Sequence, residues 1–183
     1  MITWHDVKQG SPEWHKLRKY LWTGSRAIKL LMGKPLPDDS NTYTSDAMKR
    51  GTALEPIAIG EYERKYRCKV WRPGFGTNSV YTNAGYSPDG IDKKILLEVK
   101  CPGGKNFEAF RDTGFIPIEY MAQIQFGMVI TGLRHARLIV YNPDYGDSMI
   151  IIEVPYHKYM ANNIRKLLQR DMKKRSSAKS EAS

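Results

Sequence analysis

Cysteine is nearly absent from this chain. Cys68 and Cys101 are the only two among 183 residues, too few for a zinc or iron–sulfur site of their own and no sign of an oxidising compartment. The four histidines (His5, His15, His135 and His157) are scattered without the spacing of metal ligands. No apolar run approaches the roughly 20 residues of a membrane span. Residues 1–6 show neither the basic nor the apolar region of a secretion signal, so cytoplasm is the expected compartment. No internal repeat is visible.

Acidic residues are also in the minority. There are 19 against 29 basic ones, for a net charge of +10. Residues 173–183 hold four basic residues and one acid, so +7 remains on the first 172 residues. The excess therefore belongs to the body of the protein, and its field favours polyanions such as a phosphate backbone. A membrane surface fits less well, because no basic helix with an apolar face stands out. Length and a hydrophobic fraction of 41% suit one globular domain, residues 1–172, followed by a disordered polar and basic tail over 173–183.

Against this background, Ser87-Pro88-Asp89-Gly90 followed by Ile95-Leu96-Leu97-Glu98-Val99-Lys100 is the most informative stretch. On a strand, side chains alternate between faces, so Ile95, Leu97 and Val99 point one way and Leu96, Glu98 and Lys100 the other. An acid and an amine thus share one face of a strand that otherwise reads as core. Left unpaired, such buried charges would cost several kcal/mol (of order 3–5). With Asp89 from the preceding turn, two carboxylates and an ammonium can converge. Carboxylates hold hard Mg²⁺ or Mn²⁺ ions, and a lysine can stabilise a water nucleophile or the charge growing on phosphorus. This is the chemistry of a metal-dependent phosphodiesterase. An ordinary edge strand bearing Glu and Lys would look the same in isolation.

The flanking segments read as follows. Ser11 as N-cap and Pro12 at the first position start a helix over 12–20. Thr23-Gly24-Ser25 caps a short helix over 26–32, and a Pro-, Asp- and Ser-rich loop follows over 34–42. A helical region spans 45–66, with Pro56 expected to end or kink it near Glu55. Strands are expected over 68–71, 78–81, 84–87 and 95–101, then a helix over 118–131. Strands over 136–141 and 149–154 and a helix over 157–172 complete the series. The order predicts an α/β fold with a mixed central β-sheet flanked by helices. Trp14, Trp22 and Trp71 read as core.

Three further segments fall into one pattern. Trp14-His15-Lys16-Leu17-Arg18 followed by Thr23-Gly24-Ser25, then Arg50-Gly51-Thr52-Ala53-Leu54-Glu55-Pro56, and Tyr120-Met121-Ala122-Gln123-Ile124-Gln125 occur in order around the Asp89…Glu98-x-Lys100 core. Together they resemble the phage lambda exonuclease and YqaJ-type viral recombinase family. The resemblance implies a restriction-endonuclease-like PD-(D/E)xK core and a Mg²⁺-dependent exonuclease, with Mn²⁺ as an alternative and two ions at the site. Such an enzyme degrades one strand of duplex DNA from its 5′ end. By the same resemblance Asp89, Glu98 and the backbone carbonyl of Val99 bind the catalytic metal, and Glu55 serves a second metal directly or through water. Lys100 assists the attacking water, Gln123 orients the site, and Arg18 with Ser25 holds the terminal 5′-phosphate. It further implies double-stranded DNA ends as partner, a trimeric ring, a single-strand annealing protein as collaborator, and the host cytoplasm if phage-encoded. Gly127 stands four residues after Gln123, where RecB-like nucleases of the superfamily carry tyrosine. A sequence-specific or structure-specific endonuclease on the same fold and a non-catalytic DNA-end-binding protein are the alternatives.

Overall fold

A computed structural model describes residues 1–37 and 45–181, the side chains of 179 and 181 excepted. The part of the expected 34–42 loop from residue 38 onward lies outside the described residues. Ser11 opens α1 (Pro12–Arg18), its hydroxyl accepting from the Trp14 N–H as the sequence predicts. A 3-10 turn (Gly24–Arg26) leads into α2 (Ala27–Leu31). The cap position of that turn is Thr23 and not Ser25, and Thr23 makes no side-chain cap bond. Next come α3 (Asp46–Tyr66), β2 (Phe75–Asn78), β3 (Gly85–Tyr86), β4 (Gly90–Asp92) and β5 (Ile95–Lys100). With β1 (Ile2–His5), β2 and β3 form a small antiparallel sheet in the order β1-β2-β3. The chain continues through α4 (Gly104–Thr113), α5 (Ile118–Thr131), β6 (His135–Tyr141), β7 (Met149–Pro155) and α6 (Lys158–Glu181).

The second sheet runs β4-β5-β6-β7, with β5 and β6 parallel and the other pairs antiparallel. Strand β5 is therefore an inner strand, buried on both faces. Leu96 joins a core with Ile124, Phe126, Leu138 and Val140, the side occupied by α5. Leu97 and Val99 join the opposite core with Ala58, Ile59, Tyr62 and Ile139, the side occupied by α3. The alternation read from the sequence thus separates the two layers. Among the described residues no helix is long and apolar enough to cross a membrane.

Several expectations are corrected. Helix α3 runs unbroken through Pro56 for 21 residues. An interior proline costs about 3 kcal/mol, but burial of Ile59 alone contributes about 2–3 kcal/mol, and Ala58 and Tyr62 are fully buried beside it. Instead of a strand over 68–71 there is one isolated bridge, Trp71 to Ile91. The strand expected over 78–81 lies earlier, as β2, and its partner β1, the strand β4 and the helix α4 are additions to the expected series. The last helix does not stop at 172 but continues to Glu181. Arg175 holds its end, pairing with Asp171 one turn back at 2.7 Å and donating to the Tyr20 carbonyl at 2.8 Å.

Candidate active site

The β3–β4 connection brings Asp89 over the end of β5. Its Oδ2 accepts the Val99 N–H at 2.7 Å, which fixes the carboxylate beside the strand's two charged residues. Glu98 is almost completely buried, 1% exposed, and both of its oxygens are engaged. Tyr86 donates to Oε2 at 2.9 Å. Lys100 Nζ at 2.5 Å and Gln123 Nε2 at 2.6 Å both donate to Oε1. Gln123 Oε1 in turn accepts from Lys100 Nζ at 3.2 Å. The ammonium also lies 4.9 Å from the centre of the Tyr120 ring. Helix α5 thus supplies both a bridging amide and an aromatic face to a strand it packs against.

The electrostatics follow from this crowding. Burial pushes Asp89 well above the usual carboxylate range, and the nearby Glu98 and Glu55 charges push the same way. Burial disfavours the Lys100 ammonium, but Glu98 and Asp89 outweigh it and raise its pKa to about 12. Lys100 is therefore a cation at neutral pH. Glu55, on α3, is pushed up by burial and by Glu98, against the pull of Arg72. Arg72 donates directly to Glu55 Oε1. The Glu98, Asp89 and Glu55 charges work against one another, and Lys100 and Arg72 offset part of that repulsion. Among the described residues no group of three or more His, Cys, Asp or Glu side chains is placed to hold a metal ion. The available donors are hard oxygens, and the site fits Mg²⁺ or Mn²⁺ in kind.

A second group of residues adjoins these acids. Arg18, at the end of α1, donates from NH2 to Ser25 Oγ at 2.9 Å and to Thr23 Oγ1 at 3.3 Å. Its guanidinium lies 4.1 Å from the Trp14 ring centre. Trp14 is buried and donates through Nε1 to Ser87 Oγ at 2.7 Å, which ties α1 to the turn that carries Asp89. Arg26 is buried and donates to the carbonyls of Arg18 and Leu21, satisfying the end of α1. Arg18, Thr23, Ser25, Ser87, Asp89 and Gln123 all line one open cleft of about 100 Å³.

The fold thus gathers every residue the sequence singles out, with Glu55 approaching from the α3 side. It also adds three that sequence reasoning missed: Tyr86, Arg72 and Tyr120 in its contact with Lys100. Tyr86 could have been suspected from its place just before Ser87-Pro88-Asp89. Nothing local marks Arg72. The other glutamine of the α5 motif, Gln125, is structural: it donates to the Pro155 carbonyl and accepts from the His157 N–H. Gly127 has a packing reason, since an added Cβ would lie 2.5 Å from Tyr86 and 2.8 Å from Leu96. The Tyr86 ring occupies the space there. Trp14 and Trp22 are core as expected, but Trp71 is 53% exposed and packs edge-on against Trp4.

The same architecture occurs in known proteins. The chain is similar to an alkaline exonuclease (LHK-Exo) from Laribacter hongkongensis, with a TM-score of 0.73 and 21% identity over 94% of this chain and 100% of that one. That enzyme has also been solved in complex with dAMP. A phage-related exonuclease from Haemophilus somnus 129PT is similar over 92% of this chain and 99% of its own, with a TM-score of 0.62 and 13% identity. A comparison with curated proteins found no match. At these identities the likeness is one of fold, the PD-(D/E)xK type that the family resemblance implies. Membership is carried by the sequence itself: residues 13–134 match the model of the YqaJ-like viral recombinase domain, and the chain belongs to that family.

Proposed function

We propose that this protein is a metal-dependent exonuclease that degrades one strand of linear duplex DNA in the 5′→3′ direction. It would leave 3′ single-stranded tails for recombination. The observation that carries this reading is the shared cleft, with Arg18 and Ser25 lining it together with Asp89 and Gln123. A strand end held at the first pair puts its next phosphodiester within reach of the second.

Asp89, Glu98 and the Val99 carbonyl would hold Mg²⁺ or Mn²⁺, with Glu55 offering a second position once Arg72 releases it. The ion supplies charge neutralisation at phosphorus and a more acidic bound water. The chain's own groups do the rest. Lys100, whose ammonium Glu98 and Asp89 favour, would place a positive charge beside the reacting phosphate and the attacking water. Gln123 bridges Lys100 and Glu98 and holds both in place. Tyr86 is held protonated by burial and by Glu98 and Asp89, and it fixes the other Glu98 oxygen. Arg18 offers a guanidinium fork, and Ser25 a hydroxyl, to a terminal phosphate carrying nearly two charges.

The basic body of the chain suits a phosphate backbone. By family resemblance we read the assembly as a homotrimeric ring that encloses duplex DNA and cooperates with a single-strand annealing protein. The test compares linear and covalently closed duplex as substrates in Mg²⁺. Loss of mononucleotides from the 5′-labelled end of the linear form, with the circle intact, is expected. An opened circle would instead indicate an endonuclease, and no cleavage of either would indicate an end-binding protein. Asp89→Ala and Glu98→Ala should abolish cleavage while binding persists, and digestion in excess chelator would overturn the metal requirement.

A further inference from the structure

Helix α6 carries eight basic residues and two acids. Its inner face, Ala161, Ile164 and Leu168, is fully buried. Asp171 also turns inward, accepting from Asn83 at 2.7 Å and pairing with Arg175. What remains outside is a single-sign surface. Lys158, Lys166, Arg170, Lys173 and Lys174 are all exposed, and none has an ion-pair partner among the described residues. At 1.5 Å per residue this face is about 24 Å long. Tyr159, 80% exposed, lies on it about two turns from Lys166.

The position of this face matters as much as its charge. Arg18 faces the cleft, and Tyr20, only two residues further on, meets the inner side of the last turns of α6 through the Arg175 bond. Tyr20 is itself 67% exposed, with Lys19 Nζ 5.2 Å from its ring centre. If the cleft holds a 5′ end at Arg18, one strand stops there. Past that point only the complementary strand continues, and it is single-stranded.

We propose that the exposed face of α6 is a track for the single-stranded 3′ tail that the reaction leaves. The basic residues meet its phosphates, and Tyr159 offers a ring on which an unpaired base stacks, the usual combination for sequence-tolerant single-strand binding. This rests on the exonuclease reading above but is tested apart from it, by binding in chelator.

The experiment measures fluorescence anisotropy of an oligothymidylate and of a short, blunt, 5′-phosphorylated duplex, over a range of salt. The variants are K166A/R170A/K173A, all on the exposed face, and Tyr159→Ala. For the triple variant we expect at least about tenfold weaker oligothymidylate binding and a salt slope smaller by about two, near 0.7 for each phosphate that is no longer neutralised. Duplex-end binding should change less than about twofold, and the melting temperature should not move. Tyr159→Ala should weaken oligothymidylate binding and leave the salt slope unchanged. Unaltered oligothymidylate binding, or an equal loss on both probes, overturns the track. Whether the wild type digests linear duplex at all decides the exonuclease reading separately.

Discussion

Arg18→Ala should erase most of the preference for a 5′-phosphorylated over a 5′-hydroxyl end. The guanidinium is already ordered, lying over the buried Trp14 ring at 4.1 Å and hydrogen-bonded to Ser25 at 2.9 Å. Little side-chain entropy is therefore lost when a phosphate arrives. A hydrogen bond to a charged group contributes about 1.5–3 kcal/mol, which corresponds to about 10–150-fold in kcat/KM between the two ends. The substitution also removes the contact with Trp14, which contributes about 0.5–1 kcal/mol to stability. That loss should lower the melting temperature by only about 1–4 °C in a chain of this size. The assay measures kcat/KM on duplexes identical except for the terminal group, for wild type, Arg18→Ala and Arg18→Lys. Lysine restores a charge but not the fork, so its preference should fall in between. An equal decline on both substrates would mean that Arg18 only packs against Trp14, and the pocket assignment would be wrong.

Gly127→Ala should cost about 1–3 kcal/mol as an overpacked core substitution, because its Cβ would meet the Tyr86 ring at 2.5 Å. It should lower kcat as well as the melting temperature, since the Tyr86 bond to Glu98 moves with the ring; loss of stability with kcat intact would refute the link. Burial raises Asp89, so the stability tied to its protonated form is fully present below the unfolded carboxylate range and is lost as pH rises through the folded value. In chelator the melting temperature should therefore decline as pH rises above that range, less so in Asp89→Asn, and added Mg²⁺ should recover more of it at higher pH; a pH-independent Mg²⁺ effect would contradict this. Arg72→Ala frees Glu55 of its ion-pair partner and should tighten Mg²⁺ binding measured by calorimetry, whereas weaker binding would show that Arg72 supports the occupied site. Light scattering with DNA present should report a trimer, and a monomer would count against the ring.

Much of the site was legible because its pieces are local. The Ser11 cap, the two-residue alternation of Leu96, Glu98 and Lys100, and the spacing from Asp89 to Lys100 are properties of short segments. The apolar run of α5 and its stop at Gly132 are too, with Gly132 at φ +79° and its N–H bonded to the Met128 carbonyl. Those features were enough to recognise the acids, the lysine and the family order. Pro56 does not end α3, because propensity weighs one residue against its neighbours, while the outcome rests on what Ile59 and Tyr62 bury against the sheet. The 68–71 segment has strand-like composition but contributes one bridge, Trp71 to Ile91 on the edge strand β4.

What the sequence determined by itself was the chemistry available: which side chains are acids, which are cations, and which face of its own strand or helix each must take. Only the tertiary structure decided who meets whom. Arg72 reaches Glu55 across 17 residues, Tyr86 reaches Glu98 across 12, and Trp14 is tied to Ser87 across 73. No periodicity encodes such pairs. They form because parallel pairing of β5 with β6 and the packing of α3 and α5 on opposite faces bring distant segments together, and a buried charge is tolerated only where that convergence supplies its partners.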